Sequence, residues 1–116
     1  MPKIERRHIK KGDVWIIDNV IVIGHMQKGN RPHVVVTQIT GETVTVAPCT
    51  SVTKKVHQKY VVELIPTKHN GLHITSFVLL SQSFAADLSL FDKKIGYLDD
   101  NEINRIQLEY VKYVTD

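Results

Sequence analysis

The strongest constraint on the fold is a series of short runs rich in β-branched residues, separated by turn-forming residues, between positions 13 and 80. Runs of this length and composition are typical of β-strands. The expected strands cover residues 13–18, 20–23, 32–39, 43–47, 60–65 and 77–80. Because a sheet of many short strands has exposed edges that closure removes, the pattern favours a closed or strongly coiled barrel over an open sheet.

One turn and one strand are specified in more detail. The segment Thr40-Gly41-Glu42 predicts a tight hairpin turn between two valine-rich runs. In the second run, residues 43–47, apolar and polar residues alternate. Since successive side chains of a strand point to opposite faces, Val44 and Val46 are expected to face the core and the intervening threonines to face away.

The end of the chain carries the period of a helix, expected over residues 99–114. Asp99 is the expected N-cap, with Glu102 completing a capping box and Leu98 packing on Ile103. The apolar stripe expected to pack on the barrel comprises Ile103, Ile106, Tyr110 and Val114. The charged residues expected to face solvent are Arg105, Glu109 and Lys112. A shorter helical turn is expected over residues 87–91.

Length and cysteine content predict a single cytoplasmic domain. The chain has 116 residues, of which 42% are apolar, so residues 1–116 are expected to form one core, with residues 1–10 as a basic, mobile arm. The single cysteine, Cys49, has no partner for a disulfide within the chain, which favours the cytoplasm. The most apolar stretch is interrupted by Asp18 and Asn19 and is shorter than the roughly 18 residues of a membrane helix, so no membrane association is expected.

Positive charge is concentrated in the middle of the chain. The net charge is only +3, but residues 25–73 contain Arg31 and five lysines against two glutamates. A basic surface of this kind is typical of proteins that bind nucleic-acid phosphates. Solvated lysines of surface loops give the same pattern, so the charge alone does not decide between the two.

Motifs of the common enzyme classes are absent from the sequence. It has no Cys-x-x-Cys, no phosphate-binding Gly-rich loop with Lys-Ser/Thr, and no Gly-x-Ser-x-Gly. His69 and His73 have the spacing of a paired metal site, but Gly71 between them indicates a loop, and no third ligand is evident. We therefore expect neither a metal nor a cofactor.

Three polar clusters are candidates for a site. The loop of residues 24–32 ends in Arg31-Pro32, and the proline restricts Arg31 to an extended conformation from which its guanidinium can bind two phosphate oxygens. The run at residues 46–51 ends in Thr50-Ser51, whose hydroxyls can donate to phosphate. The run at residues 76–82 ends in Ser81-Gln82. Taken singly, each cluster is equally consistent with an ordinary surface turn.

Taken in order, these segments resemble the MazF/PemK toxins of bacterial toxin-antitoxin systems. The resemblance rests on Gly-Asp-Val-Trp at 12–15, the loop at 24–32, Val-Ala-Pro-Cys-Thr-Ser at 46–51, Phe-Val-Leu-Leu-Ser-Gln at 77–82 and Lys-Ile-Gly-Tyr-Leu at 94–98. It implies a mainly β (α+β) fold, a small SH3-like or plasmid-maintenance-toxin barrel with a C-terminal helix. It also implies a homodimer that cleaves single-stranded RNA at short sequences without a metal, and a cognate antitoxin that blocks the site.

The resemblance further implies roles for individual residues. Arg31, Thr50 and His25 would be catalytic: Arg31 as charge stabiliser, Thr50 as hydrogen-bond donor, and His25 as acid or base while the RNA 2′-hydroxyl attacks. The residues expected to bind RNA are Lys28, Ser51, Lys54, Lys55 and Gln82. One departure stands out, because Ser81 occupies the position before Gln82 where many members have an acidic residue.

Two alternatives stay open at this point. A non-catalytic barrel of the same fold that binds RNA or a protein is favoured by Ser81, since a lost carboxylate removes a candidate base. A dimeric structural or DNA-binding regulator is the other, although the one strong helix is acidic and gives no signal of a recognition helix.

Overall fold

The computed structural model describes residues 8–19, 29–52 and 58–116, in which seven β-strands precede one α-helix. The strands are β1 Asp13–Asn19, β2 Gly29–Val35, β3 Thr43–Thr50, β4 Val61–Leu64, β5 Ser76–Leu79, β6 Phe84–Asp87 and β7 Phe91–Tyr97. Short 3₁₀ turns cover Leu80–Gln82 and Leu88–Leu90, and helix α1 covers Asp100–Thr115. The predicted mainly β fold with a C-terminal helix is confirmed. No described helix is long and apolar enough to cross a membrane.

Strand β3 is shared by two parts of the sheet. The strand order is β4-β5-β3-β2-β1-β7, all antiparallel, and β6 also pairs with β3. On the edge opposite β2, β3 pairs first with β6 through Val46 and then with β5 from Cys49. Pro48 lies between the two partners, where a residue without an N–H is tolerated.

A loop brings the two ends of this strand order together. Residues 65–72 follow β4, at one end, and pack against β7, at the other. The Tyr97 N–H donates to the His69 carbonyl at 2.9 Å. Gly71 has a positive φ of 72° and leaves no room for a Cβ beside the Ile95 backbone. The sheet is thereby coiled, as the resemblance implies.

The predicted strands compare closely with the observed ones, with two omissions. The runs at 13–18, 32–39, 43–47, 60–65 and 77–80 correspond to β1 to β5, with ends shifted by no more than four residues. The run at 20–23 lies outside the described residues. β6 and β7 were not predicted, because β7 carries three consecutive exposed charged residues, Asp92, Lys93 and Lys94, in place of a β-branched run. The predicted turn at 87–91 is confirmed as Leu88–Leu90, with the Asp87 carboxylate accepting from the Ser89 N–H.

Both faces of the sheet are buried, each in its own apolar cluster. The first cluster includes Val34, Ala47 and Ile106 of α1, and the second includes Val35 and Val46. The threonines that alternate with Val44 and Val46 are only partly buried, which confirms the predicted alternation. Because neighbouring residues of β2 enter opposite clusters, an error of one residue in register would exchange the contents of the two cores.

The helix stripe is confirmed in its first part only. Ile106 is buried, and Ile103 and Tyr110 pack on the first cluster. Val114 is 56% exposed, so its predicted place in the core is wrong. All residues from 111 onward are exposed, although the Tyr113 ring still meets that of Tyr60, with 5.5 Å between centroids. Glu109 is partly buried and accepts from the Lys112 ammonium at 3.1 Å, whereas Arg105 and Lys112 face solvent as expected.

The predicted capping box is present and is joined to the loop of residues 65–72. The Asp99 carboxylate accepts from the Glu102 N–H at 2.8 Å, and Glu102 Oε1 accepts from the Asp99 N–H at 3.0 Å. Glu102 Oε2 accepts from the fully buried Asn70 at 3.3 Å. Asn70 also donates to the Ile65 carbonyl and accepts from the N–H groups of Thr67 and Leu72. One amide thus joins the loop to the start of α1.

We expect Asn70→Ala to lower the free energy of unfolding by at least about 2 kcal/mol, because each buried group left without a partner costs about 1–3 kcal/mol. Asn101→Ala, at an exposed position of α1, is the matched control and should change stability by less than about 0.5 kcal/mol. Urea denaturation followed by circular dichroism measures both. Equal stabilities of the two variants would contradict a structural role for Asn70.

Candidate active site

The register of the central strands places Arg31 and Thr50 on the same face of the sheet. His33 lies opposite Pro48, and Val35 lies opposite Val46. Because side chains alternate, Arg31 shares the face of His33, and Thr50 shares the face of Pro48. Extending this register by two residues brings Arg31 opposite Thr50, where formal β2–β3 pairing has already ended.

The backbone of Arg31 is paired with a neighbouring strand on one side only. It pairs with Ile17 of β1, but the following residue, Pro32, has no N–H to donate. The Arg31 side chain is partly buried. Its positive charge lowers the pKa of both the His33 imidazole and the Cys49 thiol.

Thr50 ends β3 in a nearly buried position, with 4% of its surface exposed. Its Oγ1 accepts from the Val52 N–H at 3.2 Å, which fixes the side chain in a local turn. This bond uses a lone pair of the oxygen, so the hydroxyl hydrogen can still be donated to a ligand. Ser51, next in the chain, is exposed.

The other predicted site residues fall into two groups. Gln82 is partly buried and Ser81 is exposed, both in the 3₁₀ turn after β5 and not at the end of a strand. This turn follows β5, which pairs with the edge of β3 that faces away from β2 and Arg31. The predicted residues outside the described part of the chain are His25, Lys28, Lys54 and Lys55. The roles predicted for all of these residues stay predictions.

His33 is the residue of this face that the sequence reasoning did not select. It is fully buried, and its Nδ1 lies 2.9 Å from the Arg31 carbonyl oxygen. Since a carbonyl only accepts, Nδ1 carries the hydrogen and donates. The ring meets Phe84 edge-on, with 5.8 Å between centroids. A polar residue within a run of valines was its one signal in the sequence, and that signal is equally typical of an ordinary core histidine.

The environment keeps His33 uncharged at neutral pH. Burial is the main cause that lowers the pKa of the imidazole to about 4; the bond to the Arg31 carbonyl opposes this shift, and the charge of Arg31 adds to it. The other ring nitrogen, Nε2, is buried and has no hydrogen-bond partner among the described residues. His33 therefore presents an unused acceptor inside the protein.

Cys49 is also uncharged. Burial raises the pKa of its thiol to about 12, partly offset by the positive charge of Arg31. A thiol protonated at neutral pH is a poor nucleophile. The sole cysteine of the chain is thus a core residue and not a candidate for covalent catalysis.

The described residues contain no group of three or more His, Cys, Asp or Glu side chains arranged to hold a metal ion. His69 is instead hydrogen-bonded through Nδ1 to the Tyr97 hydroxyl at 2.9 Å and stacks on the Tyr97 ring.

We expect the Cys49 thiol to resist modification in the native protein, because it is buried and protonated. With a chromogenic disulfide reagent at pH 8, the native protein should react only as fast as it opens, whereas protein in denaturant should react within the mixing time. Rapid stoichiometric reaction of the native protein would contradict this assignment.

We also expect His33 to make stability fall in mild acid. Between pH 6.5 and about 4 the unfolded state binds a proton on this residue that the folded state does not, so the free energy of unfolding decreases as pH falls through this window. The loss approaches roughly 3 kcal/mol at pH 4, at about 1.4 kcal/mol per unit of pKa difference.

Urea denaturation of the wild type and of His33→Leu at several pH values measures this contribution. The two proteins differ at this position alone, so the difference between the two curves isolates His33. Parallel curves from pH 7 to pH 4 would show that the imidazole is not held neutral by burial.

Comparisons with known proteins bear on the identity of this site. Residues 10–110 match the model of the PemK-like, MazF-like toxins of type II toxin-antitoxin systems. The chain is 32% identical over 102 residues to the Endoribonuclease EndoA of Bacillus subtilis, covering 84% of this chain and 87% of that protein. The structure of MazF from Deinococcus radiodurans has a TM-score of 0.75 at 18% identity, over 93% of this chain and 97% of that one. An endoribonuclease in complex with its cognate antitoxin, from a mycobacterial species, has a TM-score of 0.67 at 15% identity, over 90% and 92% of the two chains.

The two structural neighbours share the fold, and the sequence matches extend over most of the chain, including β2 and β3 with Arg31 and Thr50. The chain therefore belongs to the family of PemK-like, MazF-like toxins of type II toxin-antitoxin systems.

Proposed function

We propose that this protein is an endoribonuclease toxin that cleaves single-stranded RNA without a metal, with the substrate's own 2′-hydroxyl as nucleophile. The observation that carries the proposal is the placement of Arg31 and Thr50 on one face of the sheet, where β2 and β3 meet. A guanidinium and a hydroxyl so placed can both bind the oxygens of one phosphate. The family match and the endoribonuclease relative support the same activity.

Arg31 stabilises charge in this mechanism. When the 2′-oxygen attacks, negative charge builds up on the non-bridging phosphate oxygens, and a guanidinium beside them lowers the energy of that state. Its partly buried position strengthens the effect, because fewer water molecules screen the charge. The Thr50 hydroxyl donates to a second oxygen and fixes the orientation of the phosphate.

Proton transfer requires other groups. The 2′-hydroxyl must lose a proton and the leaving 5′-oxygen must gain one, and arginine rarely releases its proton because its pKa is too high. His33 is fully buried and Cys49 is nearly so, which prevents either from exchanging a proton with bound RNA. His25 is the candidate for this role, since the ordinary pKa of an imidazole is near neutral pH.

The proposed partners follow from the same family. A cognate antitoxin would inhibit the toxin by covering the basic site, the toxin would act as a homodimer, and both would function in the cytoplasm. Family membership in type II toxin-antitoxin systems supports the antitoxin as partner.

A non-catalytic barrel that binds RNA or protein is the second candidate. It is favoured by Ser81, which is exposed in the turn after β5 and cannot accept a proton as a carboxylate would. Cleavage of RNA by the wild type would exclude this candidate, whereas binding without cleavage would support it.

Arg31→Ala is expected to lower the cleavage rate of a fluorescent single-stranded RNA by at least about a hundredfold, because one lost charge-stabilising group typically costs a factor of 10²–10³. Reactions contain a chelator, which should leave the wild-type rate unchanged.

The matched control is Arg105→Ala. Arg105 is exposed on α1 and donates to the Glu63 carbonyl, so its loss removes the same charge away from the proposed site. This variant should cleave at a rate within about twofold of the wild type, in line with the small effect of surface substitutions. Full activity of a folded Arg31→Ala protein would refute the assignment of the site.

A further inference from the structure

We propose that His33 is a positioning residue that fixes the backbone of Arg31 for catalysis. The inference rests on the proposed endoribonuclease function and adds to it a residue that never touches the substrate. It is carried by three independent observations: a bond to Arg31, the rigid surroundings of the ring, and an unpaired buried nitrogen.

The bond compensates for a gap in the sheet. β2–β3 pairing ends at His33 and Pro48, so the segment that leads to Arg31 is paired with β1 alone. Pro32 cannot extend the pairing because it lacks an N–H. The His33 Nδ1–H spans this proline and donates to the Arg31 carbonyl at 2.9 Å. It thereby restricts the peptide from which the guanidinium extends.

The ring itself has little freedom to move. His33 has no exposed surface, its register neighbours are Trp15 on β1 and Pro48 on β3, and Phe84 meets it edge-on. Because the donor is held this tightly, its hydrogen bond fixes the Arg31 carbonyl relative to the core. Small displacements of a catalytic group reduce rates strongly, so such a restraint matters for turnover more than for folding.

The third observation is the unpaired ring nitrogen of His33, which lowers the stability of the protein. Nε2 is buried without a hydrogen-bond partner among the described residues, and a buried unpaired polar atom destabilises a protein. A leucine at this position would pack against the same neighbours without that penalty. Unpaired buried groups of this kind are expected at functional sites, where a residue can be kept for the position of its hydrogen bond although it lowers stability. The neutral ring also adds no second positive charge beside Arg31.

Two substitutions separate positioning from packing. His33→Leu keeps an apolar side chain of suitable size but removes the bond to Arg31. His33→Asn restores a donor, because its amide nitrogen occupies nearly the place of Nδ1. Turnover is measured as kcat and KM on single-stranded RNA, and binding is measured with the same RNA carrying a 2′-deoxy nucleotide at the cleaved position.

We expect His33→Leu to be as stable as the wild type or more stable at pH 7, with kcat lower by about tenfold to a hundredfold. Its affinity for the 2′-deoxy RNA should change by less than about twofold, since no substrate contact is lost. His33→Asn should recover kcat to within about threefold of the wild type. Val35→Ala, buried on the same face of β2, is the control: it should lose stability through a cavity yet keep its kcat.

Unchanged kcat in a folded His33→Leu protein would overturn the proposal, as would an equal loss in His33→Asn or in Val35→Ala. If His33→Leu does not fold, His33→Gln takes its place, because its amide lies near Nε2 and cannot reach the Arg31 carbonyl. Absence of RNA cleavage by the wild type would overturn the endoribonuclease function and this inference together. Cleavage that depends on Arg31 but not on His33 would overturn this inference alone.

Discussion

The structure depends on one strand, β3, which pairs along both of its edges and is buried on both of its faces. β2 occupies one edge, and β6 and then β5 occupy the other, so the described strands are joined through its eight residues. The exchange of partners takes place at Pro48, where a missing N–H costs least. Because the end of β3 continues beyond β6, Thr50 reaches the position across from Arg31. The same exchange of partners therefore brings Thr50 to the proposed site.

Placing the site on central strands has an electrostatic consequence. Arg31 is partly buried, while its neighbours His33 and Cys49 are both held neutral by burial. A protonated His33 would repel the guanidinium and would need an acceptor for Nε2–H. Burial avoids both effects above about pH 4. The site thus presents one fixed positive charge in a poorly solvated setting, which suits a phosphate whose negative charge increases during the reaction.

Local sequence patterns predicted the elements but not their juxtaposition. β-branched runs indicated β1 to β5, and Asp99 with Glu102 indicated the start of α1. β7 was not predicted because its Asp92-Lys93-Lys94 segment is exposed on an edge strand, where burial does not select apolar residues. Arg31 and Thr50 became candidates through family resemblance, whereas their opposition across β2 and β3 depends on a register between distant segments. His33 was missed because its importance comes from a bond to a backbone atom, which no side-chain pattern records.

The polar groups on the face of Arg31 suggest that charge stabilisation and proton transfer belong to different residues. In the proposed mechanism charge stabilisation is assigned to the sheet, because Arg31 is fixed by pairing with β1 and Thr50 by the turn to Val52. Proton transfer is not assigned to His33 or Cys49, because both are buried and uncharged at neutral pH. A group that exchanges protons has to be accessible to the substrate, which disfavours the buried side chains of β2 and β3 and leaves His25 as the proposed source. Under this proposal His25→Ala should alter the pH profile of cleavage, while Arg31→Ala should lower its rate at every pH.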